Sequence, residues 1–519
     1  MDKRSLVLSL ASGFLLFLSF PKFDLNYLIW FSLVPLLYAL QRKNPCEAFR
    51  IGLAAGLVFN IGIIYWITFV VVQYGQLPLY LGFSIMLLLS IYLSFYVAIF
   101  SAGVVFFKMR GIREIVSAPI IWTCLEYGKS HLLTGFPWEN LAYSLHRMIP
   151  VVQIVDVTGT YGLTFLIVLI NCIIYELIGI TRKSIKRVLS EIVLGSVVIL
   201  MVFGYGEYRL NHLENIMKEK KAEDITIIQG NIDQNMKWNN KYQMDTLKIY
   251  GDLSLDMSKP ERLLTVWPET AMPFFFQNID DKHRYVVNVA TESKAYLLFG
   301  SPSLVKKNGD NYYLNSAYLI SPGGEVVGKY DKVHLVPYGE YVPFRNLCSF
   351  LEKLVVGVGD FVPGEKPNSI LMGDKKIGVL ICYEGIFPRI SREYKNNGVE
   401  LLVNITNDAW FGTSSAPYQH LTMAAFRAVE NRVYMIRAAN TGISAIIGPT
   451  GEVISRTSLF ERTSISGKIQ FLGEKTFYSK YGDVFACLCF ISLAVIFLSI
   501  QITGTRRRSN DRRYFAGNQ

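Results

Sequence analysis

Long apolar runs occupy residues 6–20, 27–40, 51–72, 79–107, 115–127, 161–180 and 189–205, and one more follows at Val484–Ile502. About 20 apolar residues in a helix cross a bilayer core, so the pattern predicts a membrane bundle of about eight transmembrane helices, with 115–127 the weakest of them. The run at 6–20 follows Asp2-Lys3-Arg4 as a secretory signal would. No small-residue cleavage site precedes Pro21, so it is expected to be a retained helix.

Between the last two runs the pattern changes to short β-rich segments separated by turns and amphipathic stretches. Strands are expected at 225–228, 263–267, 295–299, 313–320, 326–328, 377–382, 401–405, 444–447 and 465–469, with helices at Asp281–Ser293 and 422–438. Alternation of this kind predicts a layered α/β or α+β domain. The near-continuous apolar segments 377–381 and 401–403 fit strands buried on both faces. The expected division is therefore a membrane domain at 1–209 with seven helices, a globular domain at 210–481, and a final helix with a basic tail at 482–519.

Composition agrees: 51% of the residues are hydrophobic and 13% aromatic, too apolar for a soluble protein of 519 residues. The net charge of +11 does not indicate nucleic acid, because the basic residues flank the apolar runs instead of striping one module. Arg42, Lys43, Arg50, Lys108, Arg110, Arg113, Arg182, Lys183, Lys186, Arg187 and the arginines from Arg506 to Arg513 recur after every second helix. The positive-inside rule puts these loops and both termini in the cytoplasm, and the globular domain on the other side of the membrane. Seven cysteines show no CxxC spacing, so neither a zinc site nor a disulfide framework is expected.

Three segments at strand ends carry polar residues that packing alone would not place there: Trp267-Pro268-Glu269-Thr270, the stretch from Lys329 to Leu335 containing Lys332, and Ile381-Cys382-Tyr383-Glu384-Gly385. A cysteine closing an apolar strand can present its sulfur at the sheet edge, where a lysine would favour the thiolate and a glutamate could move a proton. Taken singly, each is common structural material: a buried cysteine, a first-turn glutamate, a solvated lysine.

The order Glu269, Lys332, Cys382 in those contexts resembles the Glu-Lys-Cys triad of the nitrilase superfamily over about residues 224–471. With membrane helices on both sides, the whole chain is similar to that superfamily's lipoprotein N-acylating branch. Further matches are Gln229-Gly230-Asn231 with Trp238, Glu340 in Pro337-Tyr338-Gly339-Glu340, Trp410 in the stretch from Asn407 to Gly412, and Trp138 in Gly135-Phe136-Pro137-Trp138.

The resemblance implies an αββα sandwich outside the cytoplasm, in a bacterial inner-membrane protein acting as a single copy without metal or other cofactor. Its partners would be a phospholipid acyl donor, the bilayer, and a diacylglyceryl lipoprotein whose α-amine accepts the acyl chain from a thioester on Cys382. Glu269 would be the base and Lys332 the oxyanion partner, with Glu340 orienting them and Tyr383 and Glu384 shaping the pocket. Met272 to Phe276 and the apolar stretch 347–358 would be either lipid-facing loops at the entrance or ordinary core.

Two other readings stay open. A membrane-tethered amidase would use the same triad with water as acceptor, and a transporter or scaffold would use the globular part only for binding. Against the second, Glu126 and Glu176 are nearly alone among acids and bases in the helices. Glu126 and Lys129 are either functional at membrane depth or at the interface, with Trp138 in an aromatic belt. Metal spacing of the HExxH kind, a GxSxG elbow and a phosphate-binding GxxxxGK[ST] are all missing from the sequence.

Overall fold

A computed structural model of the chain describes residues 1–179, 185–256, 261–307, 309–341 and 361–516. Its N-terminal part holds helices α1 (Lys3–Leu18), α2 (Val34–Ala39), α3 (Pro45–Ile64), α4 (Trp66–Gln73), α5 (Leu79–Lys108), α6 (Glu114–His131), α7 (Ile149–Val152), α8 (Val155–Thr158), α9 (Thr160–Ile178) and α10 (Ile185–Glu219). Among the described residues, five helices are long and apolar enough to span a membrane: α3, α5, α9, the stretch Leu189–Glu219 of α10, and Val484–Ile502 of a last helix.

The other apolar runs form shorter or broken helices, for local reasons. Residues 27–40 divide into a 3₁₀ turn, Asn26–Trp30, and the six-residue α2, which has Pro35 in its first turn, where a missing N–H costs nothing. The run at 51–72 breaks at Tyr65 into α3 and α4, and α6 carries Pro119 inside. α3 starts sharply because Asn44 and Glu47 cap it reciprocally. It packs closely on α5 through small residues: a Cβ on Gly56 would come within 2.9 Å of Ser94 Cα.

α10 runs through the expected boundary at 209 without interruption and delivers the chain to the sandwich. Twelve strands are present among the described residues: β1 (Ala222–Gln229), β2 (Leu264–Val266), β3 (Tyr296–Lys307), β4 (Asp310–Ile320), β5 (Val326–Asp331), β6 (Ile370–Met372), β7 (Lys375–Ile381), β8 (Leu401–Thr406), β9 (Tyr434–Ala439), β10 (Ala445–Ile447), β11 (Val453–Arg456) and β12 (Thr463–Gln470). They form two six-stranded sheets, ordered β12-β1-β2-β3-β4-β5 and β11-β10-β9-β8-β7-β6.

The sheets face each other, β1 against β9 and β4 against β7. The remaining helices are α11 (Gln234–Lys237), α12 (Gln243–Ser254), α13 (Asp281–Ser293), α14 (Pro388–Asn396), α15 (Ala416–Asn431), α16 (Phe477–Tyr481) and α17 (Val484–Ala516). α12 and α13 pair with each other, with α12 against β1 and β12, while α14 packs on β7 and α15 on β9, giving a helix-sheet-sheet-helix stack. β8 and β9 are buried at every position, their polar residues Asn404, Thr406 and Arg437 included.

One expectation is corrected and one open alternative is decided. The helix expected over 422–438 ends at Asn431, because Arg432 takes a left-handed cap (φ 50°) and the chain turns straight into β9. The stretch from Met272 to Phe276 is core: Met272, Phe274 and Phe276 are buried around Trp267 and Phe299. The stretch 347–358 lies outside the described residues.

The sandwich is bound tightly to the bundle. Trp138 Nε1 donates to Gln419 Oε1 (2.9 Å), and Gln419 Nε2 donates to the carbonyls of Pro21 and Ile63. Tyr74 Oη donates to the carbonyl of Ala409 (2.9 Å), and the buried Arg432 clasps Asp156 (2.8 Å).

Candidate active site

Three strand ends converge. β2 is followed by Glu269, β5 by Lys332, and β7 by Cys382, the first residue of a 3₁₀ turn, Cys382–Ile386. Cys382 has φ +54°, a conformation that ordinary side chains adopt only under constraint. Its carbonyl accepts from Asn404 Nδ2 (3.3 Å) and His420 Nε2 (3.2 Å), which supply that constraint.

Lys332 is almost fully buried and its ammonium bridges two carboxylates, with Glu340 Oε2 at 2.8 Å and Glu269 Oε1 at 3.8 Å. Burial alone would lower its pKa, but Glu340 and then Glu269 outweigh it and hold the amine well above the usual lysine value. The lysine is therefore a permanent cation. Burial, then the neighbouring Glu269 charge, push the Cys382 thiol far above the ordinary range, against the smaller pull of Lys332. Lys332 thus favours the thiolate, as expected, but burial and the Glu269 charge outweigh it. The thiol stays protonated until a base takes its hydrogen.

Both oxygens of Glu269 are held: Oε1 accepts from Asn315 Nδ2 (2.8 Å) and Oε2 from the main-chain N–H of Asn407 (2.9 Å). Asn315 Nδ2 also donates to Glu340 Oε1 (2.8 Å), and Glu340 Oε2 accepts from the Val336 N–H (2.8 Å). A preorganised base beside a fixed cation suits proton removal from a nucleophile followed by stabilisation of an oxyanion.

The other expected residues fall into distinct places. Glu384 is buried and does not face the thiol; it accepts from Tyr330 Oη, Ile381 N, Val333 N and His334 N at 2.7–3.1 Å, tying the Lys332 loop to the Cys382 turn. Tyr383 stacks edge-on with Phe387 (5.0 Å) and its hydroxyl lies 3.5 Å from the Gly135 carbonyl of the bundle. Trp138 is buried between the two parts of the protein, packed on Trp66 (5.0 Å) and His420 (5.9 Å), and not in an exposed belt. Trp410 meets Tyr74 edge-on at 4.8 Å. Trp238 is exposed. Glu126 is buried and accepts from Trp122 Nε1, Leu141 N and Thr164 Oγ1, which makes it a tie between α6, α9 and the 3₁₀ turn Leu141–Leu145.

Sequence reasoning missed Asn315, His420 and Lys237. Asn315 is a polar residue in the stretch 313–320, which is apolar apart from it and Ser316, and that is a readable signal. His420 lies on a helix with no motif around it. Lys237 stands directly before Trp238, is buried, and donates to the Glu269 carbonyl (3.3 Å).

The two-sheet sandwich, with this polar cluster where its strands end and apolar helices on both sides in sequence, defines a carbon-nitrogen hydrolase domain joined to a membrane helical part. Residues 224–473 match the family model described as carbon-nitrogen hydrolase, and residues 12–173 match the one described as apolipoprotein N-acyltransferase N-terminal domain. The chain is 45% identical over 501 residues to an apolipoprotein N-acyltransferase of Geobacter metallireducens, covering 95% of each. It is 31% identical over 518 residues to that of Haemophilus influenzae (97% of this chain, 96% of the other). With that of Rickettsia prowazekii it shares 31% over 503 residues (95% and 97%). The chain belongs to the apolipoprotein N-acyltransferase family.

Proposed function

We propose that Cys382, Glu269 and Lys332 transfer an acyl chain from a phospholipid to the α-amine of the N-terminal diacylglyceryl-cysteine of a lipoprotein. In the first step Glu269 takes the Cys382 proton as sulfur attacks the ester carbonyl. Lys332 then pairs with the oxyanion of the tetrahedral intermediate. Collapse breaks the ester C–O bond, the leaving oxygen takes the proton back from Glu269, and lysophospholipid departs from a thioester. In the second step the amine attacks the thioester carbonyl, Glu269 takes an amine proton, and collapse returns the thiol and an amide.

The carrying observation is the buried Lys332 held between Glu340 and Glu269 beside the constrained Cys382, on a domain locked to apolar helices through Gln419. A soluble amidase has no use for that docking, which favours a lipid donor over the hydrolase reading.

The reading extends to organisation: a membrane domain at 1–209, a periplasmic catalytic domain at 210–481, and a final helix and basic tail at 482–519, with about eight crossings, both termini cytoplasmic and one copy acting alone in the bacterial inner membrane. The arginine and lysine clusters after alternate apolar runs support this orientation. Trp138, Trp410, Tyr383, Glu384, Glu340 and Trp238 serve as supporting or substrate-contacting residues.

Intact-mass analysis of the protein with phospholipid and no acceptor tests it. Wild type gains one acyl chain, Cys382→Ala gains none, and a diacylglyceryl peptide with a free α-amine discharges the adduct and becomes N-acylated. Discharge by water with the peptide unmodified would hand the site to the hydrolase reading.

A further inference from the structure

Lys129 stands in the last turn of α6 and holds the loop that follows from two sides. Its ammonium donates to the Trp138 carbonyl (3.1 Å), and its own carbonyl accepts from the Phe136 N–H (2.9 Å). The segment from Phe136 to Trp138 is thus clamped on one residue.

Beside the clamp lies a cavity of about 30 Å³ whose lining includes Asn60, Tyr96, Trp122, Glu126, Lys129 and Glu139. A water needs about 10–15 Å³ of such space and two to four polar partners, so about two fit. Glu126 is already served by Trp122 Nε1, Leu141 N and Thr164 Oγ1. Glu139 is not: it is 2% exposed, and neither carboxylate oxygen has a hydrogen-bond partner among the described residues. Its backbone sits at φ +48°, which a residue with a side chain keeps only when its surroundings hold it there. A buried carboxylate is costly unless something answers its charge. Lys129 is the cation within electrostatic range, and water in the cavity completes the contact between them.

From the clamp a chain of contacts reaches the reaction centre. Trp138 Nε1 donates to Gln419 Oε1 (2.9 Å), and its indole lies 5.9 Å from the His420 ring. Gln419 and His420 are neighbours on α15, and His420 Nε2 lies 3.2 Å from the carbonyl oxygen of Cys382. A shift of Trp138 is therefore felt by the part of α15 that backs the nucleophile's turn.

We infer that Lys129 and Glu139 are positioning residues for the acyl transfer: paired through water in this cavity, they seat Trp138 and, through it, Gln419 and His420 behind Cys382. They touch no reacting atom. The role rests on the acyltransferase reading with Cys382 as nucleophile. If the pair only stiffened the bundle, its loss would lower the amount of folded protein and leave the rate per folded molecule alone.

Thioester formation on the full-length protein at saturating phospholipid, followed by intact mass, separates these roles. The final adduct amplitude counts competent molecules, and the rate constant reports their geometry. Lys129→Met is expected to slow the rate constant about tenfold, the worth of one hydrogen bond from a charged donor, at unchanged lipid KM. Lys129→Arg restores most of the rate. Glu139→Leu slows the step comparably, and the double variant is no slower than the slower single one, because the two residues act as a unit. Lys129→Gln keeps a donor for the Trp138 carbonyl but loses the pairing with Glu139. It is read in the same way should Lys129→Met yield no folded protein, with a slowing of about threefold expected. A reduced amplitude at the wild-type rate constant, a raised lipid KM at the wild-type saturated rate, or additive slowing in the double variant overturns the positioning role. No adduct on wild type defeats the acyltransferase reading itself and the positioning role with it.

Discussion

His420 Nε2 lies 3.2 Å from the carbonyl oxygen of Cys382. A carbonyl only accepts, so the ring carries its proton on that nitrogen. Burial, followed by the charge of Arg437, lowers the His420 pKa, and Nδ1 lies 3.1 Å from both Arg437 Nη2 and Asp408 Oδ1. Arg437 is itself held by Asp408 (2.7 Å), so a buried chain from Asp408 to Cys382 fixes the turn on which the thiol stands. His420→Leu removes one of the two bonds to that carbonyl. Thioester formation should slow about tenfold, equivalent to one hydrogen bond of about 1.4 kcal/mol. A quench-flow rate equal to wild type would show that the Asn404 bond suffices.

Asn315 stands between two carboxylates that share one lysine, donating to Glu269 and Glu340 at 2.8 Å each. Asn315→Leu keeps the volume and removes both bonds. Each is a bond to a charged group worth about 1.5–3 kcal/mol, so kcat for N-acylation should fall about 30-fold or more. Asn315→Asp should be worse still, because a third carboxylate would face Glu269 and Glu340 across Lys332. Steady-state kinetics of both variants decide this; an Asn315→Asp enzyme as active as wild type would sink the account.

Chemistry that announces itself by residue type was legible in the sequence; chemistry made by packing was not. Glu269 and Cys382 could be found because each ends an apolar segment and stands out against it, and Lys332 because it falls between them in the order of the motifs. Asn315 carried a similar signal inside β4, whereas the link from His420 to Cys382 joins residues 38 apart that only the fold brings together. Helix spans were readable where one apolar run makes one helix, as in α5, and misread where a residue such as Arg432 accepts a left-handed cap. The sequence over 434–438, apolar but for Arg437, fits helix and buried strand equally well, and β9 is the strand. Phe274 and Phe276 looked the same as lipid-facing or core residues because only position separates those roles.

Glu384 accepts four hydrogen bonds, three of them from main-chain N–H groups. A carboxylate can accept from all four donors, but an amide turns half of its head into a donor. Glu384→Gln should therefore cost about 2–4 kcal/mol and loosen the Lys332 loop from the Cys382 turn, lowering both the melting temperature and the rate of thioester formation. Tyr330→Phe, which removes a single donor, should cost about 1 kcal/mol. Equal stability of the two variants would mean that the main-chain bonds contribute little.

Lys237 is buried, and burial, resisted by the Glu269 and Cys382 charges, brings its pKa down to about 8 from 10.5. Between pH 8 and 10.5 the unfolded chain binds the extra proton, so this lysine makes the protein more stable as pH rises through that window. The ceiling is about 3 kcal/mol at about 1.4 kcal/mol per unit. Lys395 shifts the same way, to about 8, so the difference between wild type and Lys237→Met isolates the contribution. Lys237→Met should be the more stable protein at pH 7, and the gap in melting temperature should close by pH 10. Its rate of thioester formation should fall, because the lost charge no longer offsets the negative charge gathering on Cys382 and Glu269. A gap that stays constant with pH would mean Lys237 is neutral throughout, and its burial would then be packing alone.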